Sequence, residues 1–214
     1  MNTVVDNDIL YKGLCYGVLH DIVHAYDGTA GGIGVLGAAR FVVGKKLQKT
    51  SLRRTADLVA EEFSNFLSAA VQLEPSDSEQ SLAADLESAA QQLDVNLDAG
   101  ESQLCAIALE RVIPVLLTGD KRAITAMERL LDAELRLHGL RGKVRCLEQA
   151  VLCVLHQKDL ETLRTAICTE PMVDKTLTIC FGCSSASTQR ETVLEGLDSY
   201  IRALRSVATR ILAS

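Results

Sequence analysis

Val112-Ile113-Pro114-Val115-Leu116-Leu117-Thr118-Gly119-Asp120 is the stretch whose reading decides the fold. It carries no charge from Val112 to Gly119 and then stops on an acid. A short uninterrupted apolar run predicts a strand covered on both faces, the habit of parallel sheets. Asn2-Thr3-Val4-Val5-Asp6 repeats the pattern in miniature, a short buried strand that also ends on an acid. Parallel strands need long crossovers, usually helical, and helical periodicity fills the space between these two.

Asp8 is placed to cap a first helix whose stripe is Ile9, Leu10, Leu14, Val18, Leu19, Ile22 and Val23, broken at Asp27-Gly28. Further helices are expected over 31–49 and over 51–73, the latter with Leu52, Ala56, Val59, Phe63, Phe66 and Leu67 on one face. Residues 74–79 read as a surface loop, 80–93 as a helix and 95–98 as an extended piece. Asp98-Ala99-Gly100-Glu101 opens a helix ending near Arg111, and 121–138 and 144–168 are helical around a turn at 139–142. Thr176, Thr178 and Ile179 favour a strand within 172–181, and the last 25 residues form an amphipathic helix with Val193, Leu197, Ile201, Leu204 and Ile211 in its stripe. Strands alternating with helices give an α/β fold, helix-rich, with a small parallel sheet. Residues 1–138 hold the acidic core of the domain, and 139–214 form a mostly helical C-terminal extension packed on it.

The chain has 214 residues, 48% of them apolar and 23% charged, so it can bury a core without staples. Its longest uncharged stretches, Gly28 to Ala39 and Phe63 to Leu73, are shorter than a bilayer span. Asp6 and Asp8 stand where a secretory leader would carry positive charge, so a cytoplasmic protein without membrane contact is expected. In that compartment the seven cysteines, among them the Cys180-x-x-Cys183 pair, are expected as reduced core thiols. A net charge of -6 excludes a generally basic nucleic-acid-coating protein and leaves room for a local basic patch. Lys45, Lys46, Lys49, Arg53 and Arg54 form one such cluster, and Arg136, Arg141, Lys143 and Arg145 another. If RNA is the ligand, one of them must flank the acids.

Loops after the C-terminal ends of parallel strands converge on one rim. Asp6 with Asp8, Asp98 with Glu101, and Asp120 all fall there. Carboxylates brought close repel one another, and a hard divalent cation, Mg²⁺ or Mn²⁺, is the natural occupant of such a cluster.

The residues around these acids resemble the PIN-domain nucleases. Val4-Val5-Asp6-Asn7-Asp8-Ile9-Leu10 is similar to the first strand of that family, with Asn or Asp two positions after the Asp. Leu97-Asp98-Ala99-Gly100-Glu101 resembles a Gly-Glu helix opening, and Val115-Leu116-Leu117-Thr118-Gly119-Asp120 a strand ending in Thr-x-Asp. The resemblance covers roughly residues 2–123 and implies a three-layer PIN-like fold. It implies that Asp6, Glu101 and Asp120 are catalytic and hold the metal, with Asp8 as a lesser ligand. Asp98, Thr118 and Lys121 are in support, Thr118 orienting an acid or a water and Lys121 meeting phosphate. The implied activity is metal-dependent hydrolysis of RNA phosphodiester bonds. A further acid that the family carries early in the chain has only Glu61 and Glu62 as candidates, both inside a helical pattern.

The same residues allow another account. Asp98-x-x-Glu101 is also a capping box, and Asp8 and Asp120 suit helix N-caps. The corresponding function is a catalytically inactive PIN-like module that binds a protein partner, an antitoxin-like regulator or a second copy of itself. Gly32-Ile33-Gly34-Val35-Leu36-Gly37 satisfies the letters GxGxxG but lacks the preceding strand of a dinucleotide site, so close helix packing or a flexible helix start is expected there, with nucleotide binding as the lesser alternative. His20 and His24 lack a third ligand in sequence reach.

Overall fold

The computed structural model describes residues 1–27 and 29–214. Gly28, with the break expected there, lies outside the described residues. The architecture is α/β in three layers. Strands β1 (Thr3–Val5), β2 (Ile33–Leu36), β3 (Val71–Leu73), β4 (Val115–Thr118) and β5 (Val144–Cys146) form one sheet in the order β3-β2-β1-β4-β5. Every pairing is parallel, with Thr3 opposite both Ile33 and Val115 and Leu116 opposite Val144.

Eleven α-helices occur among the described residues. They are α1 (Asn7–Tyr16), α2 (Leu19–Asp27), α3 (Ala39–Lys49), α4 (Ala56–Ala69), α5 (Asp77–Gln92), α6 (Ala99–Glu110), α7 (Lys121–Leu130), α8 (Leu147–Gln157), α9 (Leu160–Thr169), α10 (Lys175–Cys180) and α11 (Arg190–Val207). Alternation along the strands splits the core in two. Val5, Ile33, Val35 and Leu117 face α1–α4 and α8–α11. Val4, Leu36, Leu73, Leu116 and Val144 face α5–α7. No described helix is long and apolar enough to cross a membrane.

The structure corrects several expected boundaries. Asp6, not Asp8, caps α1: its backbone is extended and its carboxylate accepts from the Ile9 amide at 2.8 Å. Gly17, at φ 69°, ends that helix in the left-handed conformation and separates α1 from α2. The segment expected as helix over 31–49 begins with β2, because β-branched Ile33 and Val35 fit a fully buried strand. Gly34 lets neighbours close in; a Cβ there would lie 2.3 Å from Met1 Sδ and 2.9 Å from Leu73 Cδ1. The helix expected over 51–73 is α4 followed by edge strand β3.

Helix α5 starts at Asp77, earlier than expected, because Ser76 and Glu79 complete a capping box. The 112–118 strand shortens to β4: Val112 is exposed at φ 52°, and Pro114 has no N–H to give a ladder. Helix α7 stops at Leu130, and a 3-10 helix, Leu135–Leu140, replaces its expected continuation. Within 172–181 the structure has α10 instead of a strand, since Asp174 caps it by accepting from the Leu177 amide at 3.0 Å. Ile211 lies beyond α11, in a return segment where the Ala213 amide donates to the Val144 carbonyl at 2.7 Å. Residues 139–214 thus add β5 as well as helices to the domain. Cys168 and Cys183 are joined in a disulfide, against the expectation of reduced thiols, whereas Cys180 is free and buried.

Candidate functional site at the acidic rim

The order β3-β2-β1-β4-β5 sets the position of the site. The chain winds outward from β1 through β2 to β3, then returns to place β4 on the other side of β1. The crevice outside the C-terminal ends of β1 and β4 is therefore the topological switch point, where ligands of open α/β sheets bind. Asp6 leaves β1 there, and Gly119 and Asp120 leave β4. Helix α6 runs back to β4, so Glu101, in its first turn, comes to the same rim.

Asp6 is 6% exposed and is the most constrained of the acids. Besides capping α1, its Oδ2 accepts from the Thr118 hydroxyl at 2.5 Å and the Gly119 amide at 3.1 Å. Thr118 Oγ1 in turn accepts from the Asp120 amide at 3.2 Å, so this threonine holds Asp6 and fixes the turn carrying Asp120. Burial pushes the Asp6 carboxyl up to about 6, against the lowering effect of the Thr118 hydrogen bond.

Glu101 and Asp98 form the capping box: the Glu101 amide donates to Asp98 Oδ1 at 2.8 Å, and the Asp98 amide to Glu101 Oε2 at 2.9 Å. Burial pushes Glu101 up to about 7, and the charges of Asp98, Asp120 and Asp6 add to the rise. Asp120 caps α7 and is clamped by Arg122, whose Nη2 lies 2.9 Å from Oδ2. Burial would raise Asp120, but the hydrogen bonds and charge of Arg122 outweigh it and hold the group below its ordinary value. Asp8 packs against Gly119, where a Cβ would lie 2.3 Å from Asp8 Oδ2, and it is paired with Lys12 at 2.6 Å and Lys46 at 3.3 Å.

The structure thus brings Asp6, Asp8, Glu101 and Asp120 to one rim, with Asp98 and Thr118 supporting them. Lys121 turns to the other side of the crevice. It pairs with Glu148 at 2.5 Å and donates to the Thr176 hydroxyl at 3.3 Å. Glu148 itself, 1% exposed in the first turn of α8 just after β5, escaped the sequence reading because a three-residue strand leaves no periodicity to mark its rim position. Lys12 and Arg122 were missed as well; their signal was proximity in sequence to Asp8 and Asp120. Lys46 is the member of the first basic cluster that reaches the acids. Glu61 and Glu62 lie within α4, and Glu62 is bound by Arg54 at 2.6 Å, so neither joins the rim acids through a described contact.

The donor set suits Mg²⁺ or Mn²⁺, being carboxylate oxygen throughout. The arrangement is not yet a cage. Among the described residues no three His, Cys, Asp or Glu side chains stand close enough together to hold an ion, and His20 with His24 is no exception. Ammonium and guanidinium groups of Lys12, Lys46 and Arg122 neutralise Asp8 and Asp120 instead. Loading a cation requires Arg122 to release Asp120 and Glu101 to leave its capping box.

The raised carboxyls have a consequence for stability. A carboxyl whose pKa is higher in the folded state stabilises the fold fully below its unfolded pKa and loses that contribution as pH rises through the folded value. For Asp6 the window runs from 3.8 to about 6, a loss of about 3 kcal/mol across it. Asp6→Asn removes the titration, so the difference in unfolding free energy between wild type and variant is expected to shift in favour of the variant from pH 4 to pH 7. Urea unfolding at several pH values measures it, and a difference that stays flat would show that Asp6 does not titrate in this window.

The chain matches no protein-family model, no curated protein and no solved structure.

Proposed function

We propose that this chain is a PIN-domain-like, divalent-cation-dependent ribonuclease of the cytoplasm, with Asp6, Glu101 and Asp120 as its catalytic, metal-holding carboxylates. The observation that carries this reading is the placement of the three. Asp6 and Asp120 flank the switch point of the sheet, Glu101 arrives from the crossover helix, and each acid contributes charge against which Glu101 is held. Helix caps alone need no such convergence.

Mg²⁺ or Mn²⁺ would be held by carboxylate oxygens of Asp6, Glu101 and Asp120, with Asp8 as a lesser ligand, and supplies charge that polarises a phosphodiester and lowers the pKa of a water. The residues of the chain do the positioning. Thr118 and the Gly119 amide fix Asp6 Oδ2. Arg122, once released from Asp120, offers a planar fork of donors that matches a phosphate. Glu101, near 7 without a cation, is poised to hold or give up a proton at neutral pH.

A second reading has its own observation. Each rim acid already serves as a helix cap or lies in an ion pair, as expected of an inactive PIN-like module whose ligand is a protein partner, an antitoxin-like regulator or another copy of the chain. Thermal unfolding with Mn²⁺, on wild type and Asp120→Asn, separates the two. Cation at 100 times its dissociation constant stabilises the native state by about 2.7 kcal/mol, or about 5–10 °C for a chain of this size. The ribonuclease reading expects that rise in wild type and its loss in the variant. No rise in either at millimolar Mn²⁺ makes the interaction module the better account.

A further inference from the structure

We propose that the groove between α3 and α4 is a self-complementary interface through which two copies of this chain pair about a two-fold axis. The groove includes none of the rim acids, and the pairing holds whether or not the rim is catalytic. Its volume is about 760 Å³, and Leu47, Leu52, Val59, Phe63 and Leu67 supply its apolar lining. The crests of its two walls follow helical spacing. On α3 they are Phe41, Lys45 and Gln48, and on α4 Asp57, Glu61 and Ser64, at i, i+4 and i+7 in both. Gln48, Asp57 and Ser64 line the groove, which places the two crests on its opposite sides. Phe41, 72% exposed, stands on the α3 crest as an apolar knob beside an apolar hole.

Charge selects the occupant. Helix α3 carries Arg40, Lys45, Lys46 and Lys49 and no acid, whereas α4 carries Asp57, Glu61 and Glu62 and no base. Lys46 is engaged by Asp8 and Glu62 by Arg54. Arg40, Lys45 and Lys49 have no ion pair among the described residues, and neither do Asp57 and Glu61. A partner must therefore offer an acidic helix to α3 and a basic one to α4, and a second copy of the chain offers both. A two-fold axis running along the groove lays α3 of each copy over α4 of the other, so cations meet carboxylates twice in one isologous contact. In that arrangement Phe41 of each copy reaches the apolar groove of the other. An axis across the groove would instead stack α3 on α3, cation against cation.

Sedimentation velocity of the full chain, from micromolar to hundreds of micromolar, tests the pairing, and wild type is expected to pass from monomer to dimer as concentration rises. Phe41→Ser is expected to weaken that dimer about tenfold. Lys45→Glu with Lys49→Glu reverses the charge of α3, and Asp57→Lys with Glu61→Lys reverses that of α4. Each double variant alone is expected to associate at least about tenfold more weakly than wild type, with circular dichroism checking that it folds. Mixed in equal amounts, the two are expected to recover dimer formation, because every α3 then meets an α4 of opposite sign. A wild type that stays monomeric throughout the range overturns the interface. So does a dimer indifferent to Phe41→Ser and to both reversals, which must form through another face. Reversed proteins that remain monomeric in the mixture overturn the axis along the groove.

Discussion

On the proposed ribonuclease function, Asp6→Asn is expected to lower Mn²⁺-dependent RNA hydrolysis by at least about 100-fold, equivalent to about 2.7 kcal/mol of barrier, while leaving the fold in place. Asparagine has the shape of aspartate and keeps one oxygen for the Ile9 amide, so the α1 cap survives. What disappears is the charge and the acceptor of the Gly119 amide, while the Thr118 hydroxyl can turn to accept from the new carboxamide nitrogen. Asp6 is the rim acid whose burial is hardest to account for by capping alone, since its second oxygen is held by Thr118 and Gly119 across the gap between β1 and β4. Initial rates with a labelled single-stranded RNA, together with far-UV circular dichroism, settle the matter. A folded Asp6→Asn protein that cleaves RNA at the wild-type rate would remove Asp6 from the catalytic set.

The second large effect lies further along α7, two turns beyond the rim acid that caps it. Glu128, in α7 and 7% exposed, accepts from the Arg210 amide at 3.0 Å, the Ile211 amide at 2.9 Å and Arg210 Nε at 2.7 Å. Burial would raise this carboxyl, and Arg210 with the two amides brings it below its ordinary value. Glu128→Ala leaves those amides without their acceptor where the return segment packs and strips Arg210 of its buried partner. Breaking a buried pair costs about 3–5 kcal/mol; because Arg210 retains Asp132 and some water, the lower end, about 3 kcal/mol, is expected. The melting temperature should fall by about 6–12 °C. A drop under 2 °C would mean that the return segment is held by its apolar residues alone.

The sheet was legible where a strand was long or ended on an acid. β4 sits in a long apolar run that ends on an acid, and β1, three residues long, was marked by the acid that follows it. β2 was hidden because Gly32, Gly34 and Gly37 mimic a phosphate loop and dilute the apolar signal, and its strand character depends on burial between β1 and β3, which is a tertiary fact. β3 and β5 are three residues each, too short for a period to register. The threonines of 172–181 suggested a strand, but local capping by Asp174 prevailed over intrinsic preference. At the site, the acids and Thr118 could be named because they follow strand ends and helix starts. Their counterions could not, because Lys46 lies 38 positions from Asp8 and only packing of α3 against α1 joins them. The Cys168–Cys183 bond was hidden for the same reason.

The hydrogen bond from Thr118 to Asp6 spans 112 positions, and that separation governs when the rim can exist. β1 is the central strand and the first to be made, yet one of its two neighbours is absent until β4 has been synthesised. The entropy of closing so long a loop falls due before any of the contacts that offset it. At about 5–20 residues per second, a ribosome needs several seconds to pass from Asp6 to Asp120. Throughout that interval the nascent chain carries its acids apart, without the crevice that gathers them.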